Sequence, residues 1–436
     1  MRLIAISLVL LALSDALLAA EAAPSTDTAP AAEPTSMALE PDQYLVLPRV
    51  GDYARFALHA DPIEGMLARG EWSEPEAGEV VTNAVGVQAE WALASDKFDP
   101  SLVGGYAYAT FESPSEQTML LSAPGVAAVW LNGEWIVGDP YSTGWFQPPV
   151  LISEGRNELL LHLARPDARV RFLPATTPLE LLTQRAVLPN LVRGEVMEAY
   201  GSIPLRYSGD TPLTDHEVVA ELEGHEPVVT ALPRIAPRSH DFASFRIPYA
   251  SDAEVGPLKL KVSLCPKAAE RPDAEEEPSD QEESTADNTE ALVSVEVTLD
   301  VVGPHDARVW THVSQIDDTV QPYAVVPAHA SDEDDEEGSR PPGVLLALHD
   351  AGKDYRSLLD HIPQSEGLCV IAPYGRGAYG FDWEGWSAQD AIEALDDFRS
   401  RVPTDPDRVS VVGKQIITTH PIDLPISPEI HFLFLF

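Results

Sequence analysis

The sequence predicts a multidomain chain: two N-terminal β-sandwich domains followed by an incomplete α/β domain on a mostly parallel sheet. Three observations carry this. Short alternating apolar runs, punctuated by Gly, Pro, Asn and Ser, fill the chain up to about Gly303, as half-buried strands do. From Gly343 the runs become continuous, at Gly343–Leu348, Leu368–Pro373 and Arg408–Val412, which marks strands buried on both faces. Ser387–Arg401 lies between the last two and spaces Ala388, Ala391, Ile392, Leu395 and Phe398 as on a helix.

The chain opens with a secretory signal over residues 1–22. Arg2 supplies the positive end, Leu3–Leu13 is too short to span a bilayer, and Ala20-Glu21-Ala22 fits a small-x-small cleavage site. A Pro/Ala/Thr/Ser-rich linker occupies 23–43. These features predict a secreted or periplasmic protein with no membrane association after cleavage. With 70 acidic against 28 basic residues, the net charge is −42. Such a surface repels nucleic acid and anionic membrane.

Residues 44–174 read as the first sandwich. Tyr106–Phe111, Thr118–Ser122, Val126–Leu131, Glu158–Leu163 and Val170–Leu173 are its strands, and Asn132-Gly133 is a tight hairpin turn. The pair Leu131-Asn132-Gly133-Glu134 and Glu154-Gly155-Arg156-Asn157-Glu158-Leu159 resembles the galactose-binding-like domains attached to many secreted hydrolases. Such domains sometimes hold sugars on aromatic platforms. Trp130, Trp135, Tyr141 and Trp145, with Phe146, are the candidate ligand-binding residues that this resemblance implies. The reading that strand propensity favours is that the same aromatics fill the core and its loops.

Residues 175–303 read as an immunoglobulin-like β domain. Its strands are Ile203–Tyr207, Glu217–Glu221, Phe242–Ile247, Leu258–Leu264 and Leu292–Val302. Between the last two, residues 268–290 carry too much Asp, Glu, Pro and Ser to order themselves. Ser331–Gly338 is a second acidic loop. Neither contains the Asp-x-Asx-x-Asx-Gly pattern of a calcium loop. Cys265 and Cys369 fall in different domains as buried free thiols, and no Cys or His spacing suggests a metal.

Residues 304–413 carry the chemistry. Arg308–Gln315 and Gln321–Pro327 form an antiparallel pair, Lys353–Ile362 a short helix, and Arg408–Val412 the last clear strand. The order Gln321–Pro327, Leu348-His349-Asp350-Ala351-Gly352, Ala372–Gly377 and Asp405–Gly413 resembles the α/β-hydrolase domain of the prolyl oligopeptidase and esterase families. The resemblance implies serine-type acyl transfer without a cofactor, on a peptide or ester. It makes His349, Asp350, Ala351 and Gly352 the loop whose backbone N–H groups hold the oxyanion. Asp350 stands where Gly is commoner in the family.

A Gly-x-Ser-x-Gly elbow should follow Gly413. The chain reads Gly413-Lys414-Gln415-Ile416-Ile417, with Gln415 at the serine position. Gln offers no nucleophilic oxygen, and two β-branched residues suit no tight turn. In this fold the acid and histidine follow the serine. Asp423, Glu429, His420 and His431 lie in a 414–436 tail without a scaffold. The expectation is a truncated or frame-shifted relative of such hydrolases, catalytically inactive. The Arg408–Val412 strand is expected to show a bare apolar edge. A carbohydrate- or surface-binding protein is the other reading.

Overall fold

The computed structural model describes residues 38–51, 61–94, 98–195, 198–248, 253–267, 291–329, 340–350, 352–359, 362–377, 383, 385–414 and 431–435. The expected signal, most of the expected linker, the acidic insertion 268–290 and Ser331–Gly338 lie outside these residues. Most of what is described is strand, in several sheets, with two α-helices among the described residues. Neither helix is long and apolar enough to cross a membrane.

The first region packs two antiparallel sheets on one core. The six-stranded sheet runs in the order Ala92–Leu93, Leu45–Leu47, Tyr106–Ser113, Gly155–Leu163, Val126–Leu131 and Glu134–Val137. The three-stranded sheet is Arg171–Pro174, Gln117–Ser122 and Pro149–Ile152. Leu121, Val129, Ile152, Leu159, Leu161 and Phe172 fill the space between them. The outer face of the larger sheet carries a helix that the apolar spacing did not predict, Pro62–Arg69. Its signals were in the sequence: Asp61 caps it, Pro62 opens it, and Gly70 closes it at φ 68°. The second Asp61 oxygen accepts from the Tyr106 hydroxyl at 2.8 Å.

The paired motif of this region has a structural reason. Asn132 and Gly133 adopt φ 51° and 83°, as a two-residue hairpin turn requires. The Asn132 amide donates to Asn157 Oδ1 at 2.8 Å and accepts from the Glu158 N–H at 2.8 Å. Asn157 is fully buried. It donates to the Ser153 and Gly155 carbonyls at 2.9 and 3.0 Å. The two asparagines thereby join two turns at one end of the sheet.

The second region pairs a three-stranded sheet (Leu179–Leu181, Tyr200–Tyr207, Ser239–Arg246) with a five-stranded one. The five are Leu191–Val192, Val293–Val302, Gly256–Pro266, His216–Leu222 and Val228–Leu232. Ile203, Leu205, Val218, Ala243, Phe245, Leu260 and Val262 form the core between them.

The third region is one mixed sheet of six strands. They are β1 (Arg308–Val313), β2 (Val320–Val326), β3 (Gly343–Leu348), β4 (Leu368–Pro373), β5 (Val409–Lys414) and β6 (His431–Leu435). Their order is β1-β2-β4-β3-β5-β6, and β2 runs against its neighbours. The other β3, β4, β5 and β6 pairings are parallel. The continuous apolar runs follow from burial on both faces. Val344, Leu346, Ile371 and Val411 face helix α1 (Trp386–Arg401) through Ala391, Ala394 and Phe398. Leu345, Ala347, Val370 and Val412 face Tyr355 and Ile362. The Lys353–Ile362 helix is in fact a single 3-10 turn, Tyr355–Leu358. Asn190 ties the second region to this sheet. Its N–H donates to the Val309 carbonyl and its Oδ1 accepts the Val309 N–H, both at 2.7 Å.

The bare edge expected beside Arg408–Val412 is not found. β6 pairs in parallel along β5, with Ser410 opposite His431 and Lys414 opposite Leu435. An apolar run with no interrupting charge or proline suits a strand that satisfies the open backbone groups of its neighbour. Part of the tail is therefore built into the sheet. Cys369 is buried in β4, whereas Cys265 is only half-buried, and both are free thiols.

Asn157→Ala removes four hydrogen bonds from a fully buried position. Leaving buried partners unmatched costs about 1–3 kcal/mol per group. A loss of about 3 kcal/mol is expected in urea unfolding, against less than about 1 kcal/mol for an exposed control such as Glu134→Ala.

Candidate functional site

In open sheets of this kind, ligands bind outside the carboxyl ends of the strands, where successive connections leave on opposite sides. Here that place is the end of β3 and β5. From β3 the chain passes to β4 on one side, then through α1 to β5 on the other. Leu348 and Gly413 are register partners across the last rung. A Cβ on Gly413 would lie 3.1 Å from Leu348 Cβ, so glycine lets the two strand ends approach.

His349 follows Leu348 and is 3 % exposed. Its Nδ1 lies 2.9 Å from the Asp350 carbonyl oxygen and its Nε2 lies 3.0 Å from the Tyr374 carbonyl oxygen. Trp383 stands edge-on to the ring at 5.1 Å, and its indole N–H donates to the His349 carbonyl at 3.3 Å. Both ring nitrogens face backbone oxygens, so this histidine holds the loops after β3 and β4 together. It is not placed as a general base. Gly352 takes φ 70°, a conformation that favours glycine. Ala351 and Gln415 lie outside the described residues.

The loop after β4 is held by a charged cluster that the sequence reading missed. Arg376 has φ 65° without being glycine, a strained conformation that its surroundings must hold. Its guanidinium donates to Asp317 Oδ2 at 2.7 Å and to the Ser314 hydroxyl. Ser314 donates to Glu393 Oε2 at 2.7 Å, and the Gly375 N–H donates to Asp390 Oδ2 at 2.8 Å. His312 lies between these two carboxylates, 3.6 Å from Asp390 and 4.0 Å from Glu393. Asp390 and Glu393 are buried on the core face of α1. A signal was present: Asp390, Glu393 and Asp397 recur at 3-4 spacing on that helix. Asp397 accepts from the Tyr323 hydroxyl at 2.5 Å. Burial works to raise the Asp317 carboxyl, but hydrogen bonds from Arg376 and Thr319 outweigh it and hold it below the usual carboxylate range. Burial pushes the Tyr374 phenol up.

The candidate aromatics divide between two places. Trp130 and Trp135 are cross-strand partners on the six-stranded sheet. Trp130 packs at the margin of its outer core, and Trp135 is 60 % exposed. Tyr141 and Trp145 belong to the following loop. There Trp145 carries the Arg185 guanidinium over its ring at 5.2 Å, and Phe146 packs on His240 at 4.9 Å. Gln147 fixes this arrangement, accepting from Arg206 at 3.1 Å through its side chain and lying 3.1 Å from His240 through its carbonyl. Trp145 therefore serves the junction with the second region, so the four residues do not make one platform. Among the described residues, no cluster of three or more His, Cys, Asp or Glu side chains is placed to hold a metal ion.

No protein family profile matches the chain, and no curated protein matches it. Solved structures with partial similarity include S-formylglutathione hydrolase from Staphylococcus aureus, at 17 % identity and TM-score 0.18 over 25 % of this chain and 46 % of that one. Oligopeptidase B from Leishmania major matches at 11 % identity and TM-score 0.20, over 74 % and 40 % of the two chains. A β-D-mannosidase from Dictyoglomus thermophilum matches at 12 % identity and TM-score 0.26, over 87 % and 52 %. The chain spans about half the length of the first hydrolases it resembles, 46 % and 48 %. Likeness of this depth carries no weight for activity, which rests on the geometry above.

Arg376→Ala removes hydrogen bonds between charged and partly buried groups, which are worth about 1.5–3 kcal/mol. A loss of about 2 kcal/mol is expected in urea unfolding at neutral pH. Asp317 is held below its ordinary value, so its share is present above the unfolded carboxylate pKa and is lost as the pH falls through the lower folded one. The cost of Arg376→Ala should therefore shrink only below about pH 4. Arg376→Gly, which relieves the backbone conformation, should cost less than Arg376→Ala.

Proposed function

We propose that residues 304–413 are the first part of a serine-hydrolase-type α/β domain, akin to prolyl oligopeptidases and esterases, and that this chain does not itself carry out acyl transfer. The strand order supports the reading most strongly. Order 1-2-4-3-5 with a reversed second strand is the α/β-hydrolase arrangement. In that arrangement the loop after strand three contributes an oxyanion N–H and the nucleophile follows strand five. His349–Gly352 occupies the first position, and Gly413, opposite Leu348, leads into the second.

The inactivity reading rests on the residue that follows. Gln415 stands where the serine would, and a side-chain amide cannot form the acyl-enzyme bond. The backbone donors alone would leave binding and residual oxyanion effects. On this reading the ligand is a peptide or ester, no cofactor takes part, and export is supported by Arg2 and Leu3–Leu13.

A second reading assigns residues 44–174 a carbohydrate- or surface-binding role as a galactose-binding-like sandwich, followed by an immunoglobulin-like spacer. Trp135, 60 % exposed beside Trp130, favours it. Quenching of tryptophan fluorescence by a soluble galactan in the wild type but not in Trp135→Ala would support this role. An identical response of the two proteins would remove it.

The main reading is tested with a fluorophosphonate probe, which reacts covalently with activated serines. The full chain is expected to remain unlabelled at concentrations that saturate a serine esterase control. Stoichiometric labelling at one serine would overturn the inactivity reading.

A further inference from the structure

A cleft of about 530 Å³ opens between the second region and the mixed sheet. That volume lies within the ~300–1,000 Å³ typical of small-molecule sites, which favour domain junctions. One wall is the segment of Gln184 and Asn190 with the strand carrying Glu296, Thr298 and Asp300; the other includes Arg356. Arg356 belongs to the 3-10 turn that covers one face of the sheet. None of the residues that line the cleft belongs to the loops after β4 or β5.

The charges of this cleft are unmatched in a specific way. Glu296 is paired with Lys259 at 2.9 Å. Arg356 donates through Nε to the Tyr355 hydroxyl at 2.9 Å. Its two terminal NH₂ groups have no hydrogen-bond partner among the described residues. Asp300 likewise has no ion-pair partner among the described residues, and no contact within the 4.0 Å ion-pair limit joins it to Arg356. The Asp354 carboxylate stands nearby and accepts from the Arg356 backbone N–H at 2.8 Å, but among the described residues no ion pair joins it to the Arg356 side chain. A guanidinium fork matches a carboxylate in bidentate fashion. A doubly charged phosphate would meet Glu296 and Asp300 at close range, against the one guanidinium, that of Arg356, among the described lining residues.

We infer that this cleft binds a zwitterion of the amino-acid or short-peptide class, with its carboxylate on Arg356 and its ammonium on Asp300. Thr298 and Gln184 also line the cleft and offer polar partners. Such a ligand bridges the two regions that Asn190 and Val309 already join. The inference stands independently of the acyl-transfer reading, because it uses no residue of the strand-end site.

Isothermal titration calorimetry on the full chain tests it, with L-Ala-L-Ala as the probe. The free dipeptide should bind saturably. N-acetyl-Ala-Ala, lacking the ammonium, and Ala-Ala-amide, lacking the carboxylate, should each bind about tenfold or more weakly, equivalent to about 1.4 kcal/mol. These comparisons need no altered protein. In Arg356→Ala the amide and the free acid should bind equally, and in Asp300→Asn the acetylated and free forms should bind equally. Absence of saturable binding at millimolar dipeptide would overturn the inference. So would indifference to blocking either end, or a blocking effect that persists unchanged in both variants.

Discussion

The candidate strand-end site depends on the close approach of β3 and β5 at Leu348 and Gly413. The parallel pairing brings the residue after β3 beside the residue after β5. Only a residue without a Cβ permits that spacing comfortably, since an added Cβ would come within 3.1 Å of Leu348 Cβ. The pairing in turn requires both faces of β3 to be covered, by α1 on one side and the Tyr355 turn on the other. From it follow the position of His349 and its reach to the Tyr374 carbonyl. Through Tyr374 and Gly375 the same contact is tied to Asp390 on α1. The strand-end site is therefore a property of the sheet and of its helix together.

Charge plays a different part inside this region than on the surface. Most of the 70 acidic residues repel one another in water, where salt screens them. Asp390 and Glu393 instead lie buried against β1 and the loop after β4, where each accepts a hydrogen bond from a specific partner. A buried carboxylate is tolerated only when such partners are supplied. Ser314 and the Gly375 N–H supply them from two other segments, and His312 lies 3.6 Å from Asp390. The cluster thereby fixes Arg376 in a backbone conformation that it would not adopt alone.

Much of the architecture was legible in the sequence because its signals are local. Val126–Leu131, Gly343–Leu348 and Leu368–Pro373 appear as strands at the residues where their apolar runs lie. The Asn132-Gly133 turn forms where the dipeptide sits. The missed features depend on distant partners. Asp390 and Glu393 look like solvated helix positions until β1 is placed beside them. Trp145 looks like a member of one aromatic group until Gln147 is bound to Arg206 and His240. The pairing of His431–Leu435 with β5 is parallel, and no local signal tells which strand a run beyond the proline-containing stretch 415–430 joins. The family resemblance makes His349 part of an oxyanion loop. Its role in tying two loops together appears only when Tyr374 stands opposite its ring.

Amide hydrogen exchange read by mass spectrometry addresses the docking of β5 most directly. If β3 and β5 are docked as adjacent inner strands, the amides of Val344–Leu348 and Val409–Gly413 should be protected together and lose protection in one cooperative step as urea is added. His431–Leu435 should exchange faster, as an edge strand bonded along one side. Free exchange at Val409–Gly413, with protection retained in Val344–Leu348, would show that β5 is not docked. It would also remove the strand-end site built on the Leu348–Gly413 contact.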